Sequence, residues 1–140
     1  MIEVLSIDHV VLRVRDIERS LRFYSKVLGC HEERRVENLG LIQLRAGGSL
    51  IDLVDLEKPL GKMGGAAPGK DARNVDHVAL RIASFSEDEL RAHLEAHGVE
   101  PGKVDQRSGA EGVGPSMYIR DPDANVIELK GPASTRRDSE

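Results

Sequence analysis

The sequence predicts an α+β fold made of two successive βαβββ modules, and three observations support this class. A segment at residues 7–14 recurs at residues 75–82, with Asp, His, Val, Leu and Arg at matching positions. Both copies are rich in β-branched residues and therefore predict strands. Each copy precedes a helix-like segment and then further strand-like segments. We therefore expect a single domain with module one at about 5–56, a linker at about 57–74, module two at about 75–131 and a polar tail at 132–140.

Capping signals mark the helix of each module. Asp16 is a good N-cap for the first helix, and Gly29 stands where that helix should end. Ser86 and Glu89 have the spacing of a capping box at the start of the second helix. Gly98 is placed to terminate the second helix.

Turn residues delimit the remaining strands. In module one they predict strands at about 31–36, 40–46 and 49–55, the last two joined by a tight Gly47-Gly48 turn. In module two they predict a strand within 99–107 and strands at about 116–120 and 125–130, the last two joined by the turn at 121–124. Glycines and prolines in the 57–74 segment predict a mobile linker or lid, and three glycines within 108–114 predict a loop.

Composition excludes several classes of function. The net charge is -4 and no long run of Lys or Arg is present, so we expect no nucleic-acid partner. No apolar stretch approaches the roughly 20 residues that span a bilayer, so we expect no membrane insertion. Cys30 is the only cysteine, and residues 1–4 lack the pattern of a signal peptide. A cytoplasmic location is therefore the default expectation.

Two histidines and two carboxylates occupy equivalent positions in the two modules. His9 and His77 lie on the more polar faces of their strands, whereas Asp52 and Glu128 each interrupt an apolar strand. Any one of them alone is ordinary, but a buried carboxylate requires a partner and the pattern occurs twice. Imidazole and carboxylate groups suit Zn, Ni, Co, Mn or Fe(II). The pattern therefore indicates a divalent-metal site formed by His9, Asp52, His77 and Glu128.

Three motifs of the sequence are the repeated Asp-His-Val-x-Leu-Arg segment, the helix end Phe23-Tyr24-x-x-x-Leu28-Gly29, and the final segment from Tyr118 to Leu129. They resemble those of the glyoxalase, bleomycin-resistance and ring-cleaving dioxygenase superfamily, also called the vicinal oxygen chelate superfamily. The resemblance covers about residues 7–131. It implies paired modules that form a curved mixed sheet around a metal-binding cavity lined by the four residues named above. It also implies a homodimer, with modules that pair either within one chain or across the dimer.

Within that superfamily, the resemblance to glyoxalase I implies a metal-dependent lyase or isomerase acting on a small molecule. Such an enzyme transfers a proton through a metal-stabilised enediolate. Glu128 would be the leading base and Asp52 the second candidate. Arg13 and Arg73 resemble the positions that bind glutathione, so glutathione or another thiol is the expected co-substrate.

The sequence leaves other functions of the same fold open. Leu56 and Val126 stand where glyoxalase I enzymes often have a polar and an aromatic residue. An epimerase would use the same metal and paired bases. An extradiol dioxygenase would use Fe(II) or Mn(II), and a thiol transferase would inactivate fosfomycin. A binding protein of the bleomycin-resistance kind would need no metal.

Overall fold

The structure, a computed structural model, describes residues 1–136. The chain divides into two compact units, one at Met1–Asn74 and a second that begins at Val75. The first contains strands β1 (His9–Val14), β2 (His31–Val36), β3 (Leu41–Ala46) and β4 (Ser49–Asp55), helices α1 (Ile17–Arg22) and α2 (Pro59–Lys62), a π-helical turn (Phe23–Val27) and a 3-10 turn (Glu37–Leu39). The second contains β5 (Val78–Arg81), α3 (Glu87–Ala96), β6 (Val104–Gly109), β7 (Gly112–Arg120), β8 (Val126–Lys130) and β9 (Thr135–Arg136).

The first unit folds as a four-stranded mixed sheet with the order β1-β4-β3-β2. Strands β1 and β4 are parallel, and the β2–β3 and β3–β4 pairs are antiparallel. Along β1 and β3, buried apolar side chains alternate with more exposed ones, so the buried ones share one face of the sheet. The fully or almost fully buried apolar side chains of this unit include Leu12, Val14, Tyr24, Ile42, Leu44, Ile51 and Leu53.

The second unit repeats this topology with the path β5-β8-β7-β6, and β9 pairs with β7. Strands β5 and β8 are parallel, so each unit places its first and last principal strands side by side. The core of this unit is made by Leu94, Met117, Ile119, Ile127 and Leu129. The α+β class with two mixed sheets is therefore confirmed.

The predicted helix starts are correct, but one predicted cap is not formed. The side chain of Asp16 accepts a hydrogen bond from the backbone N–H of Arg19, as an N-cap should. Ser86 precedes α3 but makes no capping hydrogen bond, so the predicted capping box is wrong. Three acidic residues in the first turn of α3 stabilise the positive end of its dipole instead.

Two segments predicted to be irregular contain regular elements. Residues 57–74 contain α2 and belong to the first unit. Residues 108–114 do not form a loop but the end of the β6–β7 hairpin, because Gly109 and Gly112 pair across its turn. Gly112 has a φ of 135°, which other residues rarely adopt.

The predicted polar tail at 132–140 is described only in part. Its residues 135–136 form β9, and residues 137–140 lie outside the described part.

Within residues 1–136, no helix combines the length and the hydropathy that crossing a bilayer requires.

Candidate metal centre

Each unit places one histidine and one buried carboxylate at its pair of parallel strands. In the first, Asp52 of β4 lies opposite Val11, two residues beyond His9 on β1. In the second, Glu128 of β8 lies opposite Ala79, two residues beyond His77. Residues two apart on a strand point to the same face, so the parallel pairing brings both histidines towards their carboxylates.

The first pair is supported by Asp8 and Gln43. The Nδ1 atom of His9 lies 2.6 Å from Oδ1 of Asp8. This hydrogen bond is the main cause of a raised pKa at His9, and the negative charge of Asp52 adds to it. Asp52 is 5% exposed, and its two oxygens accept from Nε2 of Gln43 at 3.2 and 3.1 Å.

In the second pair, an aspartate again contacts Nδ1 of the histidine, and the histidine also lies close to the carboxylate of Glu128. The Nδ1 atom of His77 lies 2.7 Å from Oδ2 of Asp76, and its Nε2 atom lies 3.5 Å from Oε1 of Glu128. Tyr118 packs edge-on against the imidazole, with ring centroids 5.5 Å apart. Glu128 is 6% exposed, so its carboxylate has little access to bulk water.

The donor chemistry of the two pairs fits a divalent cation. In each unit an aspartate engages Nδ1 of the histidine, which leaves the Nε2 lone pair as the available ligand atom. Among residues 1–136, the Glu128 carboxylate makes no hydrogen bond, and Nε2 of His77, at 3.5 Å, is its ion-pair partner. A buried carboxylate with so little compensation favours a cation.

Each unit alone supplies only two such donors. No group of three or more His, Cys, Asp or Glu side chains within residues 1–136 is gathered closely enough to hold a metal. Zinc and related ions take three or four protein ligands. The predicted set of His9, Asp52, His77 and Glu128 is therefore present as two pairs, one in each unit.

The two arginines predicted to bind a thiol substrate make contacts within the chain. Arg13 donates from Nη1 to the carbonyl oxygens of Gly65 and Ala66, at 3.3 and 3.0 Å. Its backbone N–H donates to Asn74, whose side-chain amide donates back to the Arg13 carbonyl. Through these hydrogen bonds, Arg13 connects the 57–74 segment to β1. Arg73 is exposed and interacts with other residues of the chain.

Several polar residues of the candidate centre were not found from the sequence. Asp8 and Asp76 could have been, because an Asp-His dipeptide begins both repeats. Gln43 gave no such signal, because its contact with Asp52 depends on the register of β3 and β4. Arg107 lies beside the second pair. The Nη1 atom of Arg107 donates to the carbonyl oxygen and Oγ of Ser116, at 2.9 and 2.7 Å, and its Cζ atom lies 4.4 Å from the centroid of the Tyr118 ring.

The fold and these pairs define a class of two-module α+β proteins in which each βαβββ unit carries one histidine and one buried carboxylate. The model of the Glyoxalase/Bleomycin resistance protein/Dioxygenase superfamily matches residues 6–129. The chain belongs to this superfamily, which confirms the resemblance inferred from its motifs.

Relatives within the superfamily include proteins with different names and lengths. The chain is 30% identical over 138 residues to a catechol-2,3-dioxygenase of Bacillus subtilis; the match covers 96% of the chain but 45% of that protein. It is 27% identical to a lactoylglutathione lyase of Haemophilus influenzae, over 94% of the chain and 96% of the lyase.

One solved structure illustrates the similarity of fold. The integron cassette protein VCH_CASS1 from the mobile metagenome of V. cholerae superposes with a TM-score of 0.72 and 30% sequence identity. The match covers 95% of this chain and 99% of that protein. Superfamily membership and fold are thus shown, and they leave the reaction open.

Proposed function

We propose that this protein is a divalent-metal-dependent enzyme of the glyoxalase I type, with His9, Asp52, His77 and Glu128 as its metal ligands. The observation that carries the proposal is the same arrangement found in both units. In each, an aspartate engages Nδ1 of a histidine that lies at the start of, or directly before, the strand paired with that of a buried carboxylate. Such aspartates orient metal-binding histidines and make them better ligands.

The metal preference follows from the donor set. Two imidazoles and two carboxylates suit Zn, Ni, Co, Mn or Fe(II) better than Ca or Mg. When bound, the cation would act as a Lewis acid towards neighbouring oxygens of the substrate.

The proposed chemistry of the chain itself is a proton transfer. Glu128 removes the proton from the sulfur-bearing carbon of a hemithioacetal and returns a proton to the adjacent carbon. The product is a thioester of a hydroxy acid, and no external oxidant is needed because the two carbons exchange oxidation level. Asp52 is the second candidate for this base.

Roles for the remaining predicted residues belong to the same proposal. Arg73 and the Arg13 guanidinium would meet the carboxylates of a thiol co-substrate such as glutathione. Because Nη1 of Arg13 already donates to the carbonyl oxygens of Gly65 and Ala66, its proposed role includes positioning the 57–74 segment beside the substrate.

The proposal is tested by metal analysis followed by an isomerase assay. Purified protein is stripped of metal and reloaded with Zn, Ni, Co or Mn. Loss of the hemithioacetal of methylglyoxal and glutathione is then followed. We expect turnover with at least one metal and a fall of roughly 10³-fold or more in kcat for Glu128→Gln. Glu95→Gln, on the exposed surface of α3, is the matched control.

A protein that binds no metal, or a Glu128→Gln variant that works as well as the wild type, would contradict the proposal. Bound metal without turnover of this substrate would retain the ligand assignment and overturn the glyoxalase I reaction.

Ring cleavage is a second candidate, favoured by the similarity to catechol-2,3-dioxygenase. The chain spans less than half of that protein, so its activity enters here only as a proposal. Protein loaded with Fe(II) would then consume dioxygen when catechol is added. A fourth candidate ligand, Asp52, argues against this reaction, because non-haem iron oxygenases commonly use two histidines and one carboxylate.

We also propose that the protein acts as a homodimer in the cytoplasm. Apolar side chains near the N-terminus are exposed in the single chain and would be covered by a second copy. They are Met1, Ile2, Val4, Leu5 and Ile7. Sedimentation equilibrium is expected to give twice the mass of one chain, and a monomer at micromolar concentration would contradict this assembly.

A further inference from the structure

Two histidines at the end of α3 take no part in the proposed metal centre. His93 lies in the last turn of the helix, and His97 is its C-cap residue. Both are exposed. They are four residues apart, and residues at this spacing lie side by side on the surface of a helix. The spacing therefore places two imidazoles where one cation can contact both.

The two rings lie close together in the structure. Their centroids are 4.6 Å apart, and their planes meet at 47°. An imidazole nitrogen binds a transition metal at about 2.0–2.1 Å. Two rings that bind one ion at a right angle then have centroids roughly 4.5 Å apart. The observed separation fits a site in which both rings bind the same ion.

A hydrogen bond determines which nitrogen of His97 is available to a metal. Its Nδ1 atom lies 2.9 Å from the carbonyl oxygen of His93. Because a carbonyl oxygen can only accept, Nδ1 carries the hydrogen, and the lone pair of the neutral ring is on Nε2. Metal-binding histidines commonly donate from their other nitrogen to a backbone carbonyl in this way. The bond thus orients the ring and leaves Nε2 of His97 as the ligand atom.

The end of α3 also favours a positive charge. The carbonyl groups of the last turn give the C-terminus of a helix a partial negative charge. Glu89 is exposed and lies four residues before His93, so its carboxylate is on the same face of the helix. It is not gathered with the two histidines into a set of three ligands within residues 1–136. Its charge nevertheless attracts a cation to this face.

Two imidazoles without a third protein ligand suit Cu(II) better than zinc. Zinc sites in proteins take three or four protein ligands. Cu(II) and Ni(II) accept tetragonal sets of nitrogen and oxygen ligands, in which neighbouring ligands are at right angles. Of these two ions, Cu(II) binds a given set of ligands more strongly. Water molecules fill the remaining positions of such a site.

We propose that His93 and His97 form a second metal site, which binds Cu(II), and Ni(II) more weakly, through one nitrogen of each ring. The site belongs to the second unit alone and does not depend on the proposed function. It predicts that protein exposed to an excess of either ion holds metal on α3 as well as at any catalytic centre. Metal content measured under excess would then count both.

The site is tested by NMR of metal-free protein to which Cu(II) is added. Cu(II) is paramagnetic and broadens the signals of nearby amides, so it reports where it binds. Copper chloride is added stepwise to two equivalents at neutral pH, in a buffer that does not chelate copper. We expect broadening centred on residues 90–98 and a dissociation constant on the order of ten micromolar. Broadening at β1, β4, β5 and β8 reports the proposed centre separately.

Three variants distinguish a two-histidine site from binding to single side chains. His93→Asn and His97→Asn should each weaken binding at α3 at least about tenfold, because either ring then lacks a second ligand held beside it. His31→Asn, at an exposed position of β2, is the matched control and should leave binding at α3 unchanged. Signal dispersion in the same spectra checks that each variant is folded. If one of the two α3 variants does not fold, the other gives the same test.

Wild-type protein without broadening around residues 90–98 would overturn the second site. The same holds if the folded His93→Asn or His97→Asn variant binds Cu(II) at α3 as tightly as the wild type. Broadening at α3 alone, with none at β1, β4, β5 and β8, would support the second site and count against the proposed metal centre.

Discussion

The Nε2 atom of His77 lies 3.5 Å from Oε1 of Glu128, while Asp76 holds the opposite side of the ring at Nδ1. A separation of 3.5 Å is long for a hydrogen bond between these groups. The imidazole and the carboxylate are thus close neighbours that do not satisfy each other. In the proposed function the two groups are ligands of one cation, and the contact within this pair supports the proposal.

Asp76 should tune metal affinity without contacting the metal. Asp76→Ala removes the acceptor at Nδ1, so the His77 ring loses its fixed orientation and part of its basicity. We expect metal affinity to fall by roughly 10- to 100-fold, measured by competition with a chelating dye. Asp88→Ala, at an exposed position of α3, serves as the control. Equal affinity in Asp76→Ala and wild type would show that the Asp-His contact has no such role.

Arg13 should hold the 57–74 segment in place. Arg13→Met removes its hydrogen bonds to Gly65 and Ala66, and we expect amide exchange at residues 64–67 to accelerate by roughly tenfold. Mass spectrometry of exchanged peptides gives the measurement. Arg19→Met, on the exposed surface of α1, should leave this exchange unchanged. No acceleration would mean that other contacts fix the segment.

Cys30 should be unreactive in the folded protein. Burial raises the pKa of its thiol, because the thiolate is poorly solvated there. At pH 8 a smaller fraction is therefore ionised than in the unfolded chain, and this fraction grows only as the pH rises through the raised pKa. We expect labelling by a thiol reagent to be at least about tenfold slower in native protein than in urea. Equal rates in both conditions would contradict the buried position.

Leu44 should contribute strongly to the stability of the first unit. Its side chain is 0% exposed, so Leu44→Ala removes apolar contacts and leaves a cavity. We expect the free energy of unfolding to fall by about 2–5 kcal/mol in urea denaturation. Met63→Ala changes a side chain that is 81% exposed, and its effect should stay within about 0.5 kcal/mol. Similar losses in both variants would contradict the core described here.

Local patterns in the sequence were sufficient to predict most of the secondary-structure elements. Alternating apolar residues placed β3 and β4 within a residue of their observed bounds, and Asp16 marked the start of α1. The β6–β7 hairpin was missed because its glycines were interpreted as a loop. Glycine frees the backbone locally, but pairing between β6 and β7 extends both strands almost to the turn.

The sequence by itself determined the repeated module, the superfamily and the four candidate ligands, because identical residues recur at equivalent points of two copies. Only the tertiary structure decided that Gln43 donates to Asp52, that Arg13 donates to Gly65 and Ala66, and that Lys130 is buried. The reason is physical. A strand's alternation sets which face a side chain takes, but its neighbours depend on the register and order of strands that are distant in the chain.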